Sequence, residues 1–468
     1  MVMNEPARSE ASPGRATILS GWGRTAPTRA SVSTPAGAAE VVHLITSAAQ
    51  APGRGLLARG LGRAYGDAAQ NAGGAVLDMS SLVHVMELRP DDDTVTAGAG
   101  VSVDALLRRL LVCGRFVPVT PGTRWVSLGG ALAADVHGKN HPAHGSFADH
   151  VVSFDLVTAS GEVRAVRPGD PAFAATAGGM GLTGVITAVT LRTRPVETAF
   201  MRAYTERAAD LDECLDRLSS ADPAHPYSVA WIDCLAGGGA LGRAVITRGD
   251  HATRAELPPR RRADPLQFAV PRSVTGPDLV PSGLLSVTAV RAANQARFTR
   301  AAHRRSDIQP VTSFFYPLDA LGRWNRLYGR SGFLQYQFGV PAGAEATLRL
   351  ALQRSITAGC PAFLGVLKRL GPGNGHPLSF PQSGWTLALD LPASAPGLAA
   401  LLDGLDEEVA AAGGRVYLAK DSRLRCDLLP AMYPRLGDWR RMRDALDPGG
   451  MFVSDLARRL GLASGPLT

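Results

Sequence analysis

Apolar residues recur at helical spacing through "AEVVHLITSAAQ" (39–50), which predicts a short amphipathic helix. A Gly-rich stretch, "GRGLLARGLGRAYGDAAQN" (53–71), follows it. "GAVLDMS" and "TVTAGAGVSV" then read as two short strands with turn signals, and 103–113 as a helix. "FVPVTPGT" reads as another strand and turn. "SLGGALAADVHGKN" opens as a helix that Gly138 must end. Residues 151–195 alternate strand, turn, helix and strand. From about residue 201 the apolar runs lengthen: "YSVAWIDCL", "GFLQYQFGV" and "GWTLALDLP" alternate with helices at 343–358 and 397–412. That is the pattern of an antiparallel sheet covered by helices on one face. After "GGRVYLAKDSRL" the chain is helical and Arg-rich. The fold class is α+β, with no internal repeat.

Length and composition narrow the picture. The 468 residues are enough for two or three domains, and 45% hydrophobic with 19% charged residues is a globular balance. No apolar run approaches the ~18 residues of a membrane helix. The first twenty residues carry Glu5, Arg8, Glu10 and Arg15 where a signal peptide would need an apolar core, so 1–17 is expected to be a flexible arm. Five scattered cysteines without a C-x-x-C pair argue against a disulfide framework or a zinc ribbon, and for a reducing compartment.

The formal net charge is +8, and most of the excess sits in one segment. Residues 251–305 hold ten arginines against Glu256, Asp264 and Asp278. They lack interleaved aromatics and any finger or RNP pattern, which argues against nucleic acid. Six prolines there, Pro258 to Pro281, predict a mobile basic loop.

Of the 49 cationic residues only Lys139, Lys368 and Lys420 are lysine. Where arginine has replaced nearly every surface lysine, a surviving lysine is a candidate for a site that needs a compact, titratable ammonium. "ADVHGKNHPAHGSFADH" (134–150) holds one of them with four of the ten histidines. His137, His141 and His144 fall at i, i+4 and i+7, but Gly138, Pro142 and Gly145 forbid the helix that would make this a metal face. "GMGLTG" (179–184) satisfies G-x-G-x-x-G in reversed context, helix before and strand after, so it is no nicotinamide fingerprint. It remains a loop that lets backbone approach a flat or anionic ligand. In "ARGLGRAYGD" (58–67), Gly60, Gly62 and Gly66 bare successive amides while Arg59 and Arg63 add positive charge, which suits a pyrophosphate. Three such loops in one α+β unit imply an extended cofactor.

These loops, with "GWGRTAP", "PGTRWVSLGGALAADVHGKNHPAHGSF", "YPLD…WNRLYG", "PLSFPQSGW" and "YLAKDSR", resemble the vanillyl-alcohol-oxidase-type (PCMH-type) FAD-binding oxidoreductases from residue 21 to about 459. Within that family they are similar to the branch that oxidises the 2-hydroxyl of decaprenylphosphoryl-β-D-ribose. The resemblance implies an FAD domain from 18–200 plus 413–468 and a substrate domain from 201–412. It implies FAD held by Ala58, Arg59, Gly60, Leu61, Gly62, Arg63, Ala64, Tyr65, Gly66, Asp67, Ala68, Gly122, Ser127, Leu128, Gly129, Gly130, Ala134, Asp135, Val136, His137, Ile186 and Tyr417. Substrate contacts are implied for Lys139, Trp231, Gln335, Gln337, Lys368, Trp385 and Lys420. Lys420 is expected to be the cation at flavin and sugar oxygen, with His137 as proton relay and Tyr417 beside them. No covalent flavin link is expected, because the histidine that tethers it in many relatives is replaced by Arg63. Hydride would pass from ribose C2 to flavin N5, and an NADH-dependent short-chain reductase would complete epimerisation to the arabinose donor for cell-wall arabinan. The rival is an aldonolactone or alditol oxidase of the same fold. The expected location is the cytoplasm or the membrane surface, with periplasmic placement as in the resembled family left open. Two departures stand out: where relatives read W-N-I-C this chain has Thr386 and Ala388, and Phe315 replaces a tyrosine.

Overall fold

The computed structural model describes residues 14–50, 53–84, 86–220, 225–269, 274–275, 286–301 and 304–463. The short β-branched runs of the first third pair into two small sheets. One has the order Arg15–Leu19, Thr28–Ser33, Ala75–Asp78, Leu56–Arg59, antiparallel in its first pair and parallel thereafter. Its first strand begins inside the expected flexible arm, because Arg15–Leu19 pairs residue for residue with Thr28–Ser33. The helix Ala38–Ala49 lays Val41 and Ile45 over it. The other sheet is antiparallel, in the order Met86–Arg89, Thr94–Gly98, Val185–Arg192, Val151–Val157, Val163–Val166. The helix Val103–Val112, capped by Ser102 Oγ accepting from the Ala105 amide, buries Leu106, Leu107, Leu110 and Leu111.

Two local expectations are corrected here. "FVPVTPGT" yields only the two-residue strand Arg115–Phe116, and its remainder is loop. The helix that Gly138 was to end runs only from Leu128 to Ala133, because Asp135 turns to φ +39. A single helical turn does form at His141–His144, with Pro142 in its first turn, but His137 stands outside it.

The second half is built on one antiparallel sheet of eight strands, ordered Arg304–Pro310, Phe200–Ala208, Ala244–His251, Tyr227–Ile232, Leu364–Leu370, Gly384–Pro392, Phe333–Pro341, Arg415–Val416. Strand alternation sends Leu334, Tyr336 and Phe338 to one face and Gln335 and Gln337 to the other. Helices Glu345–Thr357 and Leu398–Ala411 cover the apolar face. The polar face carries Ala388, in register with Gln337 on the neighbouring strand, and Thr386, in register with Lys368 on the strand beyond. The last strand of the sheet then delivers the chain to Tyr417 and Lys420.

The basic segment is less irregular than its prolines suggested. Pro259–Arg262 and Val287–Arg300 are helices, the second capped by Ser286. Arg261 donates to the Ile308 carbonyl, and Arg262 to those of Leu257 and Ala255. Asn294 donates to Asp233 at 2.8 Å, and Arg297 stacks over Trp231 at 4.7 Å. Proline at a helix's first turn loses no hydrogen bond, and these contacts hold the rest. Residues 270–273, 276–285 and 302–303, which include three of the six prolines of the expected loop, lie outside the described residues. Among the described residues no helix is long and apolar enough to cross a membrane.

Helices Leu436–Leu446 and Asp455–Leu460 return to the small sheets. Arg443, 1% exposed, donates to Asp447 at 3.0 Å and to the carbonyls of Leu182 and Phe452, while Asp447 accepts the Met451 and Phe452 amides. Removing one partner of a buried pair strands the other charge, typically costing about 3–5 kcal/mol. Arg443→Met should therefore lower the urea midpoint of the FAD-loaded enzyme clearly, and an unchanged midpoint would show that the network carries no stability.

Candidate active site

The Gly-rich loops and the polar face of the large sheet enclose a cavity of about 320 Å³. Its walls contain Ala58, Gly60–Tyr65, Ala68, Gly122, Ser127, Gly129, Gly130, Ala134, Val136, His137, Ile186 and Tyr417 from the expected cofactor set, and Gln335, Gln337, Lys368 and Lys420 from the expected substrate set. Residues the sequence reading did not assign also line it, among them Trp22, Met180, Gly181, Gly184, Asp319, Trp324 and Ala388. The "GMGLTG" loop was singled out as a place of close backbone approach, and that signal could have supplied Met180, Gly181 and Gly184. Trp22 and Trp324 carry no spacing signal, because they meet only through the tertiary fold.

Five expected cofactor residues do not line the cavity. Arg59 turns behind its own loop and donates to the carbonyls of Ala69 (2.6 Å) and Ser20 (2.9 Å), so it braces the loop from the rear. Gly66 packs so closely on Asp421 that a side chain would strike its carbonyl oxygen. Asp67 pairs with Arg459 at 2.8 Å, Leu128 is core, and Asp135 is occupied by Ser379, Asn374 and the Ala148 amide. Arg63 alone stays at the cavity, stacked 4.0 Å over Trp22 and donating to the Trp125 carbonyl.

An extended pyrophosphate cofactor fits this cradle. Among the described residues, the amides of Leu61, Gly62, Arg63 and Ala64 have no protein acceptor. The first amides of helix Leu128–Ala133 are already engaged by Val101, Ala99 and Ser127, so the free donors are those of the 60–64 loop. A Cβ at Gly60 would overlap Ser127 Oγ, which explains the glycine where two walls meet. His137 Nδ1 is buried and without a protein partner.

At the sheet end the polar groups form a connected set. Gln337 Nε2 lies 3.1 Å from His137 Nε2 and 3.1 Å from Thr386 Oγ1. Gln335 donates to Asp390 at 2.6 Å, and Lys420 Nζ lies 3.8 Å from the Tyr65 ring centroid. Burial lowers all three lysines: Lys420 to about 7, with Lys368 as a further repelling cation, Lys368 to about 8, and Lys139 to about 7, again with Lys368 repelling. Burial likewise raises Asp390 to about 7. Neither Lys368 nor Lys420 has an ion-pair partner among the described residues, so two ammonium groups face the cavity unpaired. His137 is held well below its ordinary value by burial and then by Lys368.

Four expected roles change. Lys139 does not line the cavity; its ammonium donates to the Phe314 carbonyl and lies over the Phe314 ring. Trp385 points to the helix-covered face and donates to Glu345 at 2.9 Å, because it is one residue out of phase with Thr386. Trp231 lies in register beside Val366, a cavity residue, but Arg297 covers it. The Tyr417 hydroxyl donates to the Ala134 carbonyl at 2.8 Å, and burial raises its pKa well above the ordinary value, so the ring is a wall rather than an acid or base.

A Gly-rich cradle facing a polar sheet across one cavity defines a two-domain FAD-dependent oxidoreductase of the PCMH type. Residues 30–167 match the FAD binding domain family and 396–460 the D-arabinono-1,4-lactone oxidase family. The chain is 45% identical to decaprenylphosphoryl-beta-D-ribose oxidase of Mycolicibacterium smegmatis, over 95% of this chain and 97% of that protein. It is also 45% identical to an uncharacterized Streptomyces coelicolor protein (77% of this chain, all of that one), and 27% identical to an alditol oxidase of a Streptomyces species over 41% of this chain and 45% of that one. The protein belongs to the decaprenylphosphoryl-β-D-ribose oxidase family, and its cofactor is FAD.

Two outcomes follow. Among the described residues no cysteine lines the cavity, and its histidine, His137, stands outside the 58–67 loop from which many relatives tether the flavin. Acid denaturation should therefore release all the flavin, and colour remaining in the precipitate would refute this. Lys368 and Lys420 are charged below their lowered pKa values and lose that charge above them. A short alkyl phosphate should bind the holoenzyme about tenfold more weakly at pH 9 than at pH 6, as read by flavin fluorescence. A flat profile would remove the lysines from anion binding.

Proposed function

We propose that this enzyme oxidises the 2-hydroxyl of a polyprenyl-phosphoryl ribose, decaprenylphosphoryl-β-D-ribose in the first instance, to the 2-keto sugar. The observation that carries the reading is the pair of unpaired, buried ammonium groups, Lys368 and Lys420, at the sheet end of the FAD cavity. A neutral alditol gives no reason to bury two like charges that have no ion-pair partner among the described residues, whereas a phosphodiester ligand offsets their desolvation. When bound, FAD supplies the hydride acceptor. Lys420 is read as the cation that stabilises negative charge developing beside it, and Gln335 and Gln337 as the groups that orient the sugar. Ala388 and Thr386 stand where relatives carry W-N-I-C, so the chemistry needs no thiol here, and inhibitors that depend on that thiol should fail.

The product is a ketone that a separate NADH-dependent short-chain reductase would reduce to the arabinose epimer for cell-wall arabinan. The substrate's prenyl tail stays in a bilayer, which favours peripheral membrane contact through the basic segment 251–305. Arg261 and Arg262 are tied to backbone carbonyls and Arg254 donates to the Arg262 carbonyl, so exposed Arg260 is the better candidate for that contact. The rival, oxidation of a free aldonolactone or alditol, draws on the match at 396–460.

Product analysis separates the readings: anaerobic flavin bleaching by the lipid-linked ribose with formation of its 2-keto form is expected, and bleaching by free alditols alone would overturn the proposal. Lys420→Met should slow flavin reduction by roughly 100- to 1000-fold, and Lys420→Arg should not restore it, because a planar guanidinium does not fit an ammonium's place. A stopped-flow rate within threefold of the unmodified enzyme would sink the role of Lys420.

A further inference from the structure

The hydrogen bonds behind His137 have only one consistent direction. Thr386 Oγ1 lies 2.9 Å from the Phe338 carbonyl, which can only accept, so the single hydroxyl proton points there. The group of Gln337 that reaches Thr386 Oγ1 at 3.1 Å must then be a donor, its amide nitrogen. That same nitrogen lies 3.1 Å from His137 Nε2, and its second hydrogen meets the ring there. Nε2 is therefore the bare nitrogen, and the proton of a neutral ring sits on Nδ1. His137 Nδ1 is buried without a protein partner, in a side chain that lines the cavity.

We propose that Thr386 and Gln337 are positioning residues that fix the tautomer of His137, making its Nδ1–H a donor aimed at an acceptor atom in the cavity that gains negative charge during the reaction. The acceptor is an oxygen or nitrogen, on the flavin or on the sugar. Burial and the nearby Lys368 keep the ring neutral, so the donor is an imidazole rather than an imidazolium. Phe380 and Tyr417, with ring centroids 5.4 Å from that of His137, hold its plane. This overturns the expectation of His137 as a proton relay, because the lone pair on Nε2 is already taken and Nδ1 carries the hydrogen. It also gives a use to Thr386, where relatives carry asparagine: a hydroxyl whose proton is committed to a backbone carbonyl can only accept from Gln337.

The kinetic arm of the test rests on the lipid-linked ribose reading, and the spectroscopic arm does not. FAD-loaded enzyme labelled with 15N-histidine, free of substrate, is compared with its His137→Gln variant to assign the ring in two-bond 1H–15N spectra. A protonated Nδ1 and bare Nε2 are expected. A protonated Nε2, or a charged ring, at pH 7 would overturn the proposal. Gln337→Glu keeps the shape but presents an acceptor, and should move the proton to Nε2; an unmoved proton would equally refute the mechanism. Thr386→Val should slow flavin reduction about 10- to 100-fold with little change in KM, while Thr386→Ser stays within about threefold. Equal rates in the Val and Ser variants would overturn it. A changed flavin spectrum and midpoint potential in substrate-free Thr386→Val assigns the acceptor to the flavin, whereas an unchanged flavin with a slowed reduction step assigns it to the sugar. If unmodified enzyme shows the expected tautomer but is not reduced by the lipid-linked ribose, the substrate reading fails and the tautomer stands.

Discussion

One carboxylate ties the two halves of the active site together. Asp135 adopts φ +39, in the left-handed region that costs an L-residue roughly 1–2 kcal/mol. Its oxygens accept from Ser379 Oγ at 2.5 Å, Asn374 Nδ2 at 2.7 Å and the Ala148 amide at 3.0 Å. Hydrogen bonds to a buried carboxylate contribute enough to offset that strain. The turn at Asp135 stops the helix Leu128–Ala133 and throws His137 into the cavity. The bonds to 374–379 anchor the loop from the large sheet, whose Phe380 stacks on Tyr417 at 4.7 Å and packs on His137. With the Tyr417–Ala134 and Gln337–His137 bonds, this clamp sets the spacing of the cofactor wall and the substrate sheet.

The second constraint is charge in a place that resists it. A chain that has exchanged lysine for arginine nearly everywhere keeps three lysines, all of them buried: Lys368 and Lys420 line the cavity, with Asp390 attracting Lys420, while Lys139 stands off it on the Phe314 carbonyl. Arginine would hold its charge regardless of burial; an ammonium responds to it, and all three are pushed toward neutrality. At Lys368 and Lys420 an anion or a developing negative charge close by would favour the charged form again. On the proposed reading, binding of an anionic ligand and stabilisation of reaction charge draw on the same electrostatic shortfall.

Much of this was legible along the chain. The periodicity located the helices at 38–49, 103–112, 345–357 and 398–411 and the strands at 227–232, 333–341 and 384–392 to within a few residues. Local patterns suffice there because each element buries one apolar stripe. Glycine spacing marked the cradle, and the rarity of lysine marked the cations. In the described part of 251–305 the prolines do not exclude regular structure: Pro259 sits in a helix's first turn, where its missing N–H goes unneeded, and the helix Val287–Arg300 is held by Asn294 and Arg297 rather than by a strong apolar stripe.

The sequence by itself determined the α+β class, the glycine loops, the family and two of the rare lysines that line the cavity, Lys368 and Lys420, since these depend on residue type and short-range spacing. Only the tertiary structure decided where each side chain points. Arg59 and Asp67 lie in the cradle sequence, yet both turn away to Ser20, Ala69 and Arg459, partners up to several hundred residues distant. Trp385 and Thr386 are neighbours on one strand, but the pleat sends one to Glu345 and the other to Gln337. The direction of the hydrogen bond at His137 was settled by a backbone carbonyl two hundred residues away, which no local pattern could reveal.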